Sequence, residues 1–238
     1  MSESALNAKP FHYCYGCGHR IMHRLIAECI DEMGIREKVI GIAPVGCAVF
    51  AYEYFNFDML EVPHGRPPAA ASAIKRVRPS STVFTYQGDG DLAAIGLSEI
   101  VHAVLRAENI TAFFINNATY GMTGGQMAPT TLMGQVTTTT SNGRSTGIPI
   151  KVAELIASLG PASFVARGAL GRREHVESMK RYIAKALDYQ ERYEGFTFIE
   201  ALSACPTDWH KSPSGALQWM EDEMTLTFPL GILADKGE

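Results

Sequence analysis

No stretch of this chain approaches 18 consecutive apolar residues, so no membrane-spanning helix is expected. The opening, MSESALNAKPFHYC, lacks a basic region followed by an apolar run, and no secretory leader is read there. An excess of positive charge is also missing. With 21 Lys and Arg against 25 Asp and Glu, the net charge of -4 gives no basic footprint for nucleic acid. There are no internal repeats and no low-complexity tract. Cysteines number only five, an odd count, and two of them form Cys14-x-x-Cys17. Without an export signal, metal or redox chemistry in the cytoplasm is a better reading than a disulfide framework.

What the chain does have is alternation. At 238 residues, 46% hydrophobic and 19% charged, it can enclose a large core. Residues 19–33 place Ile21, Leu25, Ile26, Cys29, Ile30 and Met33 at helical spacing, and Gly34 ends the run. Further helices are expected at 67–77, 92–106, 151–159 and 172–192. Strands are expected at 38–43, 81–87, 110–116, 163–166 and 196–202. Strands that are apolar throughout and alternate with helices predict an α/β fold: a doubly wound, mostly parallel sheet with helices on both faces. The tail after Cys205, with its prolines and two tryptophans, reads as an arm packed on something, with another subunit as one candidate. Lys75-Arg76-Val77-Arg78 and Arg172-Arg173 read as solvated helix faces. Thr137 to Thr140 reads as part of a long loop or partner contact.

Gly88-Asp89-Gly90-Asp91 follows one expected strand and precedes a helix. In a doubly wound sheet this is the carboxyl end of a strand, where ligands bind. The helix start favours phosphate, whereas an aspartate repels it. A bridging Mg²⁺ resolves the conflict, with one oxygen from Asp89 and another from the side chain of Asn117 at the next strand end. The alternative is a plain strand-to-helix turn with Asp91 as an N-cap. The stretch resembles the thiamine diphosphate motif, GDG followed after about 25 residues by NN; 25 residues lie between Gly90 and Asn116. That resemblance implies the Thr119 backbone carbonyl as a third magnesium ligand. It also implies a cofactor site made of Gly88, Asp89, Gly90, Asp91, Asn117, Thr119, Tyr120, Gly121, Met122 and Thr123.

The surroundings of four cysteines, YCYGCGH, PVGCAVF and SACPTDW, narrow the resemblance. They are similar to the thiamine diphosphate-binding β subunits of 2-oxoacid:ferredoxin oxidoreductases, over about residues 12–235. The resemblance implies one [4Fe-4S] cluster on Cys14, Cys17, Cys47 and Cys205, and a single TPP- and Mg-binding domain over 1–238. Segments 1–18 and 203–238 would be the cluster-binding segment and arm. Tyr15 departs from the family, which often has proline there. Cys29 is left over on the apolar face of the first helix, where a free thiol acts as a small hydrophobe. By spacing alone, the four cysteines suit tetrahedral zinc equally well.

The family implies oxidative decarboxylation of a 2-oxoacid to acyl-coenzyme A and CO₂, with electrons passing to ferredoxin or a ferredoxin-like subunit. A non-oxidative TPP decarboxylase or carboligase subunit with zinc, and a non-catalytic metal-stabilised interaction module, are the alternatives. TPP enzymes take an activating glutamate from a second α/β domain, for which this chain has no room. Glu28, Glu53 and Glu61 do not sit in one, so a larger α subunit is expected to supply it. No C-x2-C-x2-C-x3-C run is present, so further clusters would belong to other subunits. His64 and Arg66, in a His-Gly-Arg segment similar to the family's, and Met122 are candidates for contact with cofactor or substrate. The segment Ala48-Val49-Phe50-Ala51-Tyr52 is expected to line the substrate pocket, with Phe50 where some relatives carry a lysine. An apolar pocket there favours a branched-chain 2-oxoacid such as 2-oxoisovalerate over 2-oxoglutarate.

Overall fold

A computed structural model describes residues 4–192 and 195–237. Residues 1–3, where the leader was sought, and residue 238 at the end of the expected arm lie outside the described residues. Seven strands form one sheet in the order β2-β1-β3-β4-β6-β5-β7. They are β1 (Val39–Ala43), β2 (Asp58–Glu61), β3 (Thr82–Gly88), β4 (Thr111–Asn116), β5 (Phe164–Ala169), β6 (Thr197–Leu202) and β7 (Gly231–Asp235). All neighbours pair in parallel except β5 and β7. β4, β5 and β6 are buried along their whole length, which accounts for their mostly apolar character; Arg167 on β5 and Glu200 on β6 are the charged exceptions.

Helices cover both faces. α1 (His19–Met33) and α6 (Arg173–Glu191) join one core with Phe84, Tyr86 and Phe113. The short α2 (Ala51–Tyr54) packs at its edge through Phe55. On the other face, α3 (Pro67–Val77), α4 (Leu97–Leu105) and α5 (Val152–Ser158) enclose Val83, Phe114 and Phe198. The chain leaves β1 toward β2 on one side and β3 toward β4 on the other, so a crevice opens where the two routes part.

Four details differ from the sequence expectations. The helix expected from Leu92 is preceded by a wider turn over Asp89–Ile95, in which Gly96 N–H reaches the Asp91 carbonyl five residues back at 2.8 Å. Such π-type turns are frequent at functional sites. β2 and β7 were not expected; β2 begins and ends on an acidic residue and is largely exposed. Lys75 is buried rather than solvated, and its ammonium is satisfied by the Ser81 carbonyl at 2.6 Å. The tail packs on this chain's own sheet: α7 (Pro213–Trp219), Met220, Met224 and Phe228 form a third core with Ala169 and Leu202.

Candidate functional site

β3 ends by turning Asp89 inward. The carboxylate is 3% exposed; Oδ1 accepts the Asn117 N–H at 3.2 Å and Oδ2 accepts the Thr130 hydroxyl. Among the described residues it forms no ion pair. Burial pushes its pKa up to about 7, against the pull of the bonds from Thr130 and Asn117.

The next strand end is held on every side. The Asn116 carbonyl accepts the Ser203 N–H at 2.9 Å, and the Asn117 carbonyl accepts Trp209 Nε1–H at 3.1 Å. Ala118 adopts a left-handed φ of 55°, costly for a residue with a Cβ. Its N–H donates to Asn116 Oδ1 at 3.1 Å, while its carbonyl accepts Thr131 Oγ1 at 2.7 Å and Gln135 Nε2 at 3.1 Å. Among the described residues, the Asn117 side-chain amide and the Thr119 carbonyl are left without partners. With the Asp89 carboxylate, they form a set of oxygen donors suited to a hard divalent cation.

The His64-Gly65-Arg66 loop is pinned to the same turn. Asp91 Oδ1 accepts the Gly65 N–H at 2.9 Å and lies 2.7 Å from His64 Nδ1; Oδ2 accepts Gln87 Nε2–H at 2.5 Å. Burial raises the Asp91 pKa. Gly65, at φ 78°, approaches so closely that a Cβ there would lie 2.8 Å from the Gly96 nitrogen. Asp91 therefore serves as a tie between loops rather than as a helix cap. The Arg66 guanidinium pairs with Glu99 on α4 and does not line the cavity described next.

A cavity of about 340 Å³ opens over these turns. Every residue expected at the cofactor lines it: Gly88, Asp89, Gly90, Asp91, Asn117, Thr119, Tyr120, Gly121, Met122 and Thr123, joined by His64. Gly90 has the Tyr120 ring 3.3 Å from where its Cβ would be, so a side chain would crowd this wall. Met122 is half-exposed at the rim. Much of the remaining wall is apolar, from Val45, Ala48, Ile95 and Ile115, and among the described residues no lysine, arginine or glutamate lines the cavity. Of the segment 48–52 expected at the pocket, only Ala48 contributes; Phe50 packs edge-on against His12 at 5.1 Å.

Cys47 also lines the cavity, and its sulfur would lie 3.4 Å from a Cβ placed on Gly121. Cys17 N–H donates to the Cys14 carbonyl at 3.1 Å, and Cys205 Sγ–H donates to Asp208 Oδ2 at 3.1 Å. Burial raises Cys17 to about 11 and Cys47 to about 12, and each feels the charge of Cys14 and Asp208; Cys17 also acts on Cys47 and Cys205. Four thiols from three segments thus share one electrostatic neighbourhood beside the cavity. Among the described residues, no three His, Cys, Asp or Glu side chains converge as a single-ion site, whereas a multi-iron cluster spreads its ligands more widely. Cys29 is buried at 1% exposure, 3.6 Å from the Lys180 carbonyl.

Sequence reasoning missed Thr130, Trp209, Asp208 and His19. His19 lines the cavity with Nδ1 2.7 Å from the Tyr86 hydroxyl, and burial lowers its pKa to about 3. Local signals existed for His19, two residues after Cys17, and for Asp208 and Trp209, three and four residues after Cys205; Thr130 had none.

Residues 44–201 match the family described as "Thiamine pyrophosphate enzyme, C-terminal TPP binding domain". The ketoisovalerate oxidoreductase subunit VorA of Methanothermobacter marburgensis is 46% identical over 95% of this chain, which spans about half (48%) of that relative's length. The 2-oxoglutarate synthase subunit KorB of Methanocaldococcus jannaschii is 38% identical over 83% of this chain and 70% of its own length. The fold matches a 2-oxoglutarate:ferredoxin oxidoreductase structure from Magnetococcus marinus with a TM-score of 0.78, at 24% identity, over 97% of this chain and 83% of that one. No helix among the described residues is long and apolar enough to cross a membrane. The chain belongs to the thiamine pyrophosphate-binding domain family, as a relative of the TPP-binding subunits of 2-oxoacid:ferredoxin oxidoreductases.

Proposed function

We propose that this chain is the cofactor-carrying β subunit of a coenzyme A-acylating 2-oxoacid:ferredoxin oxidoreductase, with a branched-chain 2-oxoacid as substrate. The observation that carries the reading is the position of Cys47. It lines the same cavity as Asp89, Asn117 and Thr119, so a cysteine suited to an iron-sulfur cluster faces a turn suited to magnesium. Bound thiamine diphosphate would supply the electron sink for decarboxylation, Mg²⁺ would tie its diphosphate to the protein, and a [4Fe-4S] cluster would accept electrons singly.

The chain's own residues have separable parts. Asp89, Asn117 and the Thr119 carbonyl hold the cation. Gly90 keeps the wall beside Tyr120 open, and Met122 closes the rim. His64, tied to Asp91, stands at the cavity edge where it can donate a hydrogen bond. Cys14, Cys17, Cys47 and Cys205 hold the cluster, a use of cysteine that suits the reducing cytoplasm. A larger partner subunit brings the activating glutamate: Glu28 pairs with Lys180, Glu53 pairs with Lys9, and neither they nor Glu61 reach the cavity. Coenzyme A accepts the acyl group, and ferredoxin or a ferredoxin-like subunit takes the electrons.

The deciding experiment is metal analysis of anaerobically purified protein, with a thiamine diphosphate titration in Mg²⁺. Brown protein with roughly four irons per chain is expected. Colourless protein with a single zinc would remove the oxidative reading.

A further inference from the structure

Asn116 is the first asparagine of the pair at the end of β4, and its side chain points away from any role as a metal ligand. It is fully buried, and its Nδ2–H donates to Glu200 Oε1 at 2.7 Å. Glu200, on β6, is fully buried too. Its Oε2 accepts Arg167 Nη2–H at 2.9 Å and the Ala153 N–H at 3.3 Å. Arg167 lies directly across from Glu200 on β5 and is itself fully buried. Its Nη1–H groups donate to Glu154 Oε1 at 2.9 Å and to the Pro229 carbonyl at 3.1 Å. Both Glu200 oxygens are therefore in use, one toward Arg167 and Ala153 and one toward Asn116.

This chain of bonds ends at the strained residue. With Nδ2 held by Glu200, the Asn116 amide can present only Oδ1 to the Ala118 N–H. That bond holds Ala118 left-handed, and the left-handed step places Asn117 and Thr119 on the cavity wall. We propose that Glu200, fixed by Arg167, is a positioning residue that acts through Asn116 to preset the turn carrying Asn117 and Thr119 toward the diphosphate-bound cation. The inference rests on the magnesium and thiamine diphosphate reading above, and assigns a function to three buried polar side chains that touch no ligand. Outer partners of metal ligands commonly set affinity in this way.

Glu200→Gln is nearly isosteric but has one acceptor oxygen where two are used. If that oxygen stays with Arg167 and Ala153, an amide NH₂ is left facing Asn116. Asn116→Asp alone sets two carboxylates against each other. In the double variant N116D/E200Q the polarity reverses: the new carboxamide donates to the new carboxylate, whose other oxygen still accepts the Ala118 N–H.

The test uses the full chain. It measures the Mg²⁺ concentration needed for half-saturation with thiamine diphosphate by calorimetry, and amide exchange at residues 117–119 without ligand. E200Q and N116D should each raise the Mg²⁺ requirement roughly tenfold or more. They should also speed exchange at 117–119, with exchange inside β4 and β6 little changed. The double variant should recover most of both losses. Wild-type Mg²⁺ dependence and exchange in E200Q, or a double variant as poor as its worse parent, would overturn the inference. If wild-type protein takes up no thiamine diphosphate with Mg²⁺, the cofactor reading fails with the cation's part in this inference. The exchange data then decide separately whether the clamp holds the turn.

Discussion

The Trp209 indole donates its Nε1–H to the Asn117 carbonyl at 3.1 Å, across 92 residues of sequence. Trp209 lies one helical step from Cys205, whose carbonyl accepts the Trp209 N–H at 3.0 Å. The last cysteine segment and the turn at the end of β4 are thus one bonded unit. Disturbance of either should be felt at the other.

The first prediction follows from that link. Replacing Cys14, Cys17, Cys47 or Cys205 by serine should each lower iron content in anaerobic protein, while Cys29→Ala should leave it intact. Cys205→Ser should in addition weaken thiamine diphosphate binding several-fold, because it loosens the segment that carries Trp209. Colorimetric iron and calorimetric titration measure the two effects. An essential Cys29 with a dispensable Cys205 would show the ligand set to be wrong.

Much of this site was legible in the sequence because its core is local. Gly88 to Asp91 sits between an apolar strand and a helix, and Asn117 ends the next apolar strand, so spacing and topology sufficed. The partners were not legible because they arrive from far away: Thr130 meets Asp89 over 41 residues, His19 meets Tyr86 over 67, and Glu200 meets Asn116 over 84. No periodicity encodes such contacts. β2 escaped because an exposed edge strand need not be apolar. The π-type turn escaped because Leu92 and Ile95 fit a helix of ordinary pitch as well as a wider one.

Asp89 should carry a pH dependence of its own. Its carboxyl is raised from 3.8 to about 7 by burial, so between these values the folded chain keeps a proton that the unfolded chain has released. The contribution of Asp89 to the stability of the ligand-free protein should therefore fall as pH rises from about 4 to 7 and stay low above it, while buried His19 contributes in the opposite direction. Asp89→Asn cannot ionise. It should melt higher than wild type at pH 8, by up to on the order of 4 kcal/mol, with the difference closing toward pH 4. Thermal melts of both proteins across that range check the sign, and a difference that fails to widen from pH 4 to pH 8 would contradict it.

The same carboxylate should be indispensable for the cofactor. Asp89→Ala removes an anionic ligand from the cation, so thiamine diphosphate affinity in Mg²⁺ should fall by about 2 kcal/mol or more, well over tenfold. In wild type the cation displaces the proton, so affinity should rise with pH up to about 7 and then level. Unchanged affinity in the alanine variant would remove Asp89 from the metal site.

Expressed alone, the chain should bind cofactor yet show no oxoacid oxidation, because no glutamate among the described residues lines its cavity. Adding a larger subunit that bears a second TPP-type domain should restore turnover with a ferredoxin or dye acceptor. Turnover by the isolated chain would show that the activating group lies within it.

Substrate choice should follow the cavity wall, though not through Phe50, which packs on His12 outside the cavity. The apolar surface comes from Val45, Ala48, Ile95, Ile115 and Met122, and among the described residues the only charged lining groups apart from histidine are the carboxyls of Asp89 and Asp91. A substrate with a second carboxylate would bury that charge without a cation in this chain, at a cost of about several kcal/mol. A branched aliphatic side chain would instead gain roughly 1.5 to 3 kcal/mol from burial. On the assembled complex, 2-oxoisovalerate should therefore exceed 2-oxoglutarate in kcat/KM by about tenfold or more, with pyruvate lower because it buries less. Ile115→Ala should reduce that ratio by shrinking the apolar wall, while Phe50→Ala should leave it unchanged. A clear preference for 2-oxoglutarate would mean that a cation from the partner subunit, rather than this wall, selects the substrate.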